Sequence, residues 1–365
     1  MAQVKILIAT IAVSFLSDGA IRAQDLHEPW GDQKNKWNVD SWTLQVDNDL
    51  FANTDRDYTS GVRLAFGGPI TSAQEFGPLR GKLHKLSGDG SDYKVFDQLS
   101  QFRENREYRW GTGFTQLQFT PDSSLPRTPP PGERPYAAWL GADVSIHVRD
   151  DKSFSTVALS IGVTGEWALG EETQDILHHD ITRAPLFNGW DSQLPEEVTV
   201  NLHLDHKRKM GFLDSAYIGN FGFDGYYEFG GSAGTMRTAA YVGGLIRGGW
   251  NLPNDYSVPR LQIASQSSEF FTGHDHDKGQ FSAYILCGLR GSAVLHDITL
   301  DGSLFQDWNF SVNSKPFIGE LIFGAGMGFG DWELVYSRTI RTNEFEDQID
   351  NQDFGSILIR WRKPF

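Results

Sequence analysis

The chain has little cysteine, an excess of acidic over basic residues, and no apolar segment suited to a helical membrane span. One cysteine, Cys287, among 365 residues cannot form an intramolecular disulfide, which excludes a small cross-linked secreted fold. Lys and Arg total 32 against 47 Asp and Glu, and the formal net charge is -15. This balance argues against nucleic acid as a partner, because phosphate binding needs a basic surface.

The amino terminus has the pattern of a secretory signal peptide. Lys5 precedes an apolar run from Ile6 to Leu16, and a short segment ending at Ala23 follows. The run is too short for a membrane-spanning helix, and no other segment approaches 18 uninterrupted apolar residues. We therefore expect a signal peptide over residues 1–23 and a single domain over residues 24–365, either soluble outside the cytoplasm or crossing a membrane as strands.

Short segments that alternate apolar and polar residues recur along the chain, separated by Gly, Asn, Asp and Pro. Clear examples are residues 42–47, 142–148, 157–164 and 198–205. Together with weaker segments they predict about twelve strands, an even number as in antiparallel bacterial barrels. A water-soluble sandwich could show the same alternation.

The carboxyl terminus favours the barrel. The segment GSILIRWRKPF places Ile357, Ile359, Trp361 and Phe365 on one face, and outer-membrane barrels commonly close with a strand that ends in Phe. An aromatic content of 13% fits interfacial girdles. These features predict an all-β fold, an antiparallel transmembrane β-barrel of about twelve strands in the cell outer membrane.

Three connections are longer than a turn requires: residues 67–110, 121–134 and 170–197. The first contains KVFDQLSQF, which predicts a short amphipathic helix. Long barrel loops lie mainly on the extracellular side, and loops of this length are often functional.

Polar side chains gather where the first strand ends. Carboxylate, amide and hydroxyl oxygens come from Asn48, Asp49, Asp55, Asp57, Tyr58 and Thr59. Such oxygens suit a hard cation such as Ca²⁺, or could orient a reacting carbonyl. A polar turn between two strands would also use Asn and Asp, for their backbone preferences and Asx hydrogen bonds.

A second polar cluster lies in the third long connection. Gln174 and His178 are four residues apart, as are Asp175 and His179, so a helix over residues 171–180 would place each pair on one face. A histidine here could act as a base, could lie on the surface, or could bind zinc with Asp180, although no third zinc ligand is identified.

No serine-esterase motif competes with these clusters. The sequence lacks G-x-S-x-G, and spacing identifies no nucleophilic serine beside a base. Ser60 follows Thr59 and could serve in a covalent variant, although a hydroxyl at a strand entry is usually structural.

Six motifs occur in order over the first 200 residues: VDNDLF, DRDYTSG, FTP, ERPYAAWL, QDILHH and GWDSQL. Together they resemble the outer-membrane lipid A 3'-O-deacylase family. The resemblance implies a twelve-stranded barrel whose active site lies near the outer mouth, between the wall and a short helix of an extracellular loop. It also implies a calcium-dependent esterase that removes the 3'-acyl group of lipid A.

Motif matching places the family's functional residues on Asn48, Asp49, Thr59 and His178. The family's Glu six residues beyond the histidine falls on Ala184, and the spacing to GWDSQL suggests one inserted residue, which keeps His179 as an alternative.

The resulting hypothesis is a carboxylic ester hydrolase with His178 as the general base. Asp49 is assigned to Ca²⁺, with Asn48 and Thr59 positioning the carbonyl or the ion. The expected substrate is lipid A of lipopolysaccharide among outer-membrane lipids, and the expected state is a monomer. Two alternatives are an outer-membrane phospholipid esterase and a non-enzymatic barrel or pore.

Overall fold

The alternating segments form the strands of one antiparallel sheet. The computed structural model describes residues 39–49, 57–69, 107–150, 152–176, 186–213, 217–256, 260–261 and 281–362. In these residues the strands are β1 (Ser41–Asn48), β2 (Asp57–Pro69), β3 (Glu107–Thr120), β4 (Ala137–Arg149), β5 (Ser153–Thr164), β6 (Val198–Lys209), β7 (Tyr217–Ile218), β8 (Phe221–Gly234), β9 (Arg237–Trp250), β10 (Phe281–Asp297), β11 (Phe317–Phe329), β12 (Trp332–Arg341) and β13 (Gln352–Arg362).

Helical structure is limited to short elements in the connections. Two α-helices are described, α1 (Gly170–Ile176) and α2 (Ile298–Asp301), with 3-10 turns at Gly165–Ala168 and Trp190–Ser192. In the described part of the chain, no helix is long and apolar enough to cross a membrane.

The sheet closes on itself. Neighbouring strands pair in antiparallel order, β1 also pairs with β13, and β6 pairs with β8. The two-residue strand β7 pairs only with β8 among the described strands, so it lies outside the ring. The ring therefore contains twelve strands, which confirms the predicted antiparallel barrel.

The apolar face of each strand points outward. On β5, Val157, Leu159 and Ile161 are 52%, 42% and 54% exposed, whereas the alternate residues Thr156 and Ser160 are buried. A soluble sandwich would bury the apolar residues and expose the polar ones. The observed order, apolar outside and polar inside, is that of a barrel in lipid.

Ion pairs fill much of the polar lumen. Arg63 on β2 donates from Nη1 and Nη2 to the Asp143 carboxylate on β4 at 2.6 and 3.0 Å. Arg290 on β10 donates to Glu228 on β8 at 2.8 Å. Because these charges are removed from bulk water, each needs a partner of opposite charge. The pairs tie together strands that are not adjacent in the sheet.

The barrel has two ends, which we call the loop end, where β1 finishes, and the terminal end, where β1 begins. Alternation of strand direction places residues 121–136, 165–176, 186–197, 298–316 and 342–351 at the loop end. The end of β2 and the start of β3 both lie at the terminal end, because β2 returns from the loop end. The helix predicted between them lies outside the described residues.

After β9 the chain turns into the lumen. We call its described residues, 251–256 and 260–261, the inner segment. Asp255 Oδ1 accepts a hydrogen bond from Arg247 Nη1 at 2.6 Å, and Asp255 Oδ2 accepts one from Arg360 Nη2 at 2.7 Å. The ring of Tyr256 packs between Phe154 and Tyr226, with centroids 5.5 Å from each.

The inner segment extends along the barrel axis. Arg360, which binds Asp255, pairs in register with Thr43 on β1. The backbone N–H of Leu261 donates to the carboxylate of Asp47, four residues further toward the loop end. At the rise of a strand this is a difference of about 13 Å. The segment thus enters from the terminal end and reaches the level where β1 finishes.

Candidate functional site

Four residues from neighbouring strands line up on the outside of the wall near the loop end. Register places Asn48 opposite Ser60, Ser60 opposite Gln118, and Gln118 opposite Ala138. Asn48 follows the inward residue Asp47, so alternation turns Asn48 outward, and residues directly opposite it share that face. We call these four residues the outer row. Each is 8% exposed or less, although they face the side where lipid is expected.

The described part of the loop of residues 165–197 folds over the outer wall and covers the outer row at Gln118 and Ala138. Gln116 Nε2 donates to the carbonyl of Ala168 at 2.7 Å. Gln118 Nε2 donates to the carbonyl of Gly170 at 3.1 Å and also to Thr173 Oγ1. Two outward amides of β3 therefore bind the beginning of α1, and the helix lies against the outside of the barrel.

Close packing fixes α1 on β4. A Cβ at Gly170 would lie 2.6 Å from Ala138 Cβ and 2.6 Å from Trp190 Cζ3, so only glycine allows this approach. Trp190 Nε1 donates to Gln174 Oε1 at 2.8 Å, which ties the returning chain to the helix. Tyr136 completes the cluster, with its ring centroid 5.3 Å from that of Trp190. The result is a small apolar core outside the barrel.

Other loops hold the second half of residues 165–197. The backbone N–H of Leu194 donates to the Tyr136 carbonyl at 2.9 Å. From the connection after β10, Gln306 Nε2 donates to the Glu196 carbonyl at 2.8 Å, and Trp308 Nε1 donates to the Ser192 carbonyl at 3.3 Å. The loop that covers the outer row is therefore attached at both of its described ends.

The surface of α1 is acidic. Partial burial raises the pKa of Glu171, and the carboxylates of Asp175 and Glu172 raise this pKa further. Mutual repulsion of this kind favours a nearby cation over an anion. These side chains do not form a complete metal site, since no group of three or more His, Cys, Asp or Glu in the described residues could hold an ion.

The structure describes only part of the predicted site. Asn48 is the last residue of β1, and Asp49 follows it in a turn and is 1% exposed. Thr59 lies in β2, but its side chain is outside what is described. His178 lies outside the described residues.

The predicted helix over residues 171–180 is described as far as Ile176, two residues before His178. The alternative base His179, Asp180 and Ala184 also lie outside the described residues. The structure thus brings Asn48 to the wall that α1 covers, and it leaves the position of either imidazole as a prediction.

Sequence reasoning missed Gln116 and Gln118. Both stand at outward positions of β3, where the alternation calls for lipid-facing apolar residues such as Phe114. Two polar residues on that face indicate, already in the sequence, that something other than lipid covers it. Gln174 was expected to share a helix face with His178. Its Oε1 accepts a hydrogen bond from Trp190, its buried Nε2 has no hydrogen-bond partner among the described residues, and the shared face with His178 stays a prediction.

The donor set near the loop end can contribute to a calcium site. Asp49 supplies a buried carboxylate, and the amide oxygen of Asn48 is a second hard donor of the kind Ca²⁺ uses. Ca²⁺ takes six to eight oxygen ligands, so these two residues could form only part of its shell.

Fold and site together define a class: a membrane β-barrel with a covered polar row on the lipid side of its wall. The family model described as outer membrane protein LpxR matches residues 7–363, and the chain belongs to this family. The match confirms the family predicted from the ordered motifs and the outer-membrane localisation.

One solved structure with the same fold is an LpxR. LpxR from Salmonella typhimurium superimposes with a TM-score of 0.67 at 17% identity, covering 88% of this chain and 99% of that one. The beta domain of the Bordetella autotransporter BrkA gives 0.44 at 9% identity, covering 88% of this chain and 98% of that one. A comparison with curated proteins found no significant match.

Proposed function

We propose that this outer-membrane protein is a calcium-dependent esterase that removes the 3'-linked acyl group of lipid A. The observation that carries the proposal is the outer row, in which Asn48, Ser60 and Gln118 are buried polar residues on the lipid side of the wall beside a loop that binds Gln118. Membership of the LpxR family supports the choice of lipid A. A polar site on this face can meet an ester carbonyl that belongs to a membrane lipid.

Apolar residues adjoin the outer row on its membrane side. The next outward positions toward the terminal end are Val46 on β1 and Val62 on β2, followed by Leu44 and Leu64. Phe114 on β3 is in register with Leu64 and is 58% exposed. An acyl chain in the bilayer can lie along these residues while its ester group reaches the outer row. Catalysis at this place requires no extraction of the lipid from the membrane.

The proposed roles follow from the needs of ester hydrolysis. The reaction requires a base for water and donors for the oxyanion. His178 would take the proton from water, because an ordinary imidazole is largely neutral at pH 7. The Asn48 amide, with Thr59, would orient the ester carbonyl. Asp49 would hold calcium, which when bound stabilises negative charge on oxygen, with substrate and water completing its shell.

Mass spectrometry of lipid A tests the proposal. The protein, folded in detergent with calcium, should convert lipid A to a product that lacks the 3'-acyl group, and a chelator should suppress the conversion. Phospholipid vesicles assayed in parallel should release no fatty acid. Intact lipid A after incubation with folded protein and calcium would refute the substrate. Cleavage of phospholipid alone would establish the phospholipid esterase instead.

A further inference from the structure

Ser60 occupies the centre of the outer row. It lies directly opposite Asn48 on one side and Gln118 on the other. Residues that face each other across paired strands have Cβ atoms about 4.5–5.5 Å apart. A small group bound at Asn48 is therefore within reach of the Ser60 hydroxyl.

Ser60 is a largely buried residue whose hydroxyl is not used by the fold. The residue is 8% exposed, and its side chain makes no hydrogen bond to any described residue. Its neighbour Gln118, in contrast, has its amide bound to α1 at Gly170 and Thr173. A hydroxyl that the fold leaves unbonded can donate a hydrogen bond to water or to a ligand. The Ser60 hydroxyl is therefore available to a group bound at Asn48.

The outward side chains of β2 change from apolar to polar at Ser60. Its outward positions below Ser60 are Val62 and Leu64, which continue the lipid-facing pattern. The register between β2 and β3 shifts between Tyr58 and Ser60, which marks a bulge. Bulges occur next to active sites, where they re-aim side chains. A serine directly after a bulge, level with Asn48, breaks the apolar pattern where the ester would lie.

We propose that Ser60 is a further catalytic residue, whose Oγ donates a hydrogen bond to the carbonyl oxygen of the scissile ester. This role rests on the proposed function. When water attacks the carbonyl carbon, negative charge grows on the carbonyl oxygen, and a donor aimed at it becomes stronger. The proton stays on Ser60, and no bond forms between Ser60 and the acyl group.

Steady-state kinetics of paired variants test the role. In Ser60→Ala, kcat should fall by about 10²-fold to 10³-fold, as on loss of an oxyanion donor. KM should change little, because the interaction strengthens only in the transition state. Ser60→Thr keeps the hydroxyl and should retain most of the activity. Ser282→Ala makes the same deletion at a buried lumen position of β10 and should match the wild type.

The outcomes separate this role from the proposed function. Wild-type turnover in Ser60→Ala would overturn the role of Ser60 and leave the esterase intact. A loss in Ser60→Ala that Ser60→Thr does not restore, in folded protein, would also overturn it. An acyl adduct on Ser60 in the wild-type protein, detected by mass spectrometry of its peptides, would replace the donor with a nucleophile. No hydrolysis by the wild type would refute the proposed function together with this role.

Discussion

The backbone N–H of Leu261 donates to both carboxylate oxygens of Asp47, at 3.2 Å to Oδ1 and 3.0 Å to Oδ2. Asp47 is the inward neighbour of Asn48 on β1, and both Asp47 and Leu261 are buried. The inner segment, which enters from the opposite end of the barrel, thus binds β1 from inside immediately behind the candidate site. The end of β1 thus presents Asn48 on its outer face and Asp47 on its lumen face.

Replacing Asp47 tests whether this contact holds the site in place. Asp47→Ala leaves the buried N–H of Leu261 without its acceptor, which costs about 1–3 kcal/mol. We expect a lower unfolding temperature and slower ester hydrolysis. Asp47→Asn keeps one acceptor oxygen and should fall between this variant and the wild type. Unchanged melting and turnover in Asp47→Ala would show that β1 ends correctly without the inner segment.

Channel recordings test whether the inner segment closes the lumen. Asp255 lies between the guanidinium groups of Arg247 and Arg360 and is fully buried. Asp255→Ala removes one of the two carboxylates that each arginine contacts, leaving Asp224 to Arg247 and Glu333 to Arg360, and it detaches the inner segment from both cations. Loss of a buried ionic partner is strongly destabilising. We expect the inner segment to leave the lumen and the conductance in planar bilayers to exceed that of the wild type.

A surface ion pair provides the control for this experiment. Arg338 pairs with Asp353 on neighbouring strands, and the Arg338 side chain is 38% exposed. Asp353→Ala therefore removes a carboxylate of small energetic weight and should leave the conductance unchanged. If the conductance of Asp255→Ala equals that of the wild type, the inner segment does not seal the barrel.

Gln118 should control how firmly α1 sits on the wall. Gln118→Leu removes the donor to Gly170 and Thr173 and replaces it with an ordinary lipid-facing side chain. We expect faster proteolysis within residues 165–197 and reduced hydrolysis. Phe114→Leu alters the same face of β3, four residues away, and should change neither. Equal proteolysis rates for the two variants would contradict the role of Gln118.

Glu344 connects two loops through a buried ion pair and should make stability depend on pH. Its carboxylate accepts hydrogen bonds from Arg134 at 2.5 Å and from Arg341 at 3.1 Å. Burial alone would raise the pKa of Glu344, but the charges of Arg134 and Arg341 lower it below its ordinary value of 4.5. The pair therefore stabilises the protein above that value, and the contribution is lost as the pH falls through the folded-state pKa.

Calorimetry at several pH values measures this contribution. Glu344→Gln leaves Arg134 without its buried counter-charge, and the loss of one partner typically costs about 3–5 kcal/mol. The variant should melt at a lower temperature than the wild type at pH 7, and the two should converge as the solution becomes acidic. A constant difference between them down to pH 3 would contradict the assignment.

The two adjacent histidines should differ in their effect on hydrolysis. General base catalysis contributes about 10²-fold to 10⁴-fold, so His178→Ala should lose activity on this scale while the barrel remains folded. His179→Ala is the matched control and should stay active. Loss of activity in His179→Ala with retained activity in His178→Ala would identify His179 as the base. Full activity in both variants would remove histidine from the mechanism.

The strands were predictable because each is a local pattern. Val157, Leu159 and Ile161 alternate with small or polar residues, and this alternation alone separates the two faces of β5. The inner segment was not predictable in this way. Asp255 is eight residues from Arg247 but 105 from Arg360, and no local pattern encodes the second contact.

The candidate site was likewise predictable from the sequence only in part. Asn48 and Asp49 stand out in the sequence because an Asn-Asp pair directly follows an alternating strand. The proximity of Ser60 and Gln118 to Asn48 follows only from the register of β1, β2 and β3. That register is a property of paired strands, and the bulge before Ser60 changes it locally.

Period-two alternation, the aromatic content and the carboxyl-terminal strand together predicted a barrel of about twelve strands, because in lipid a strand must pair its backbone polar groups with neighbours and turn its apolar side chains outward. Closure of the sheet then aligned Asn48, Ser60 and Gln118, placed α1 outside the wall, and let Leu261 reach Asp47. Those contacts join residues far apart in the chain, so their geometry exists only once every strand has found its register.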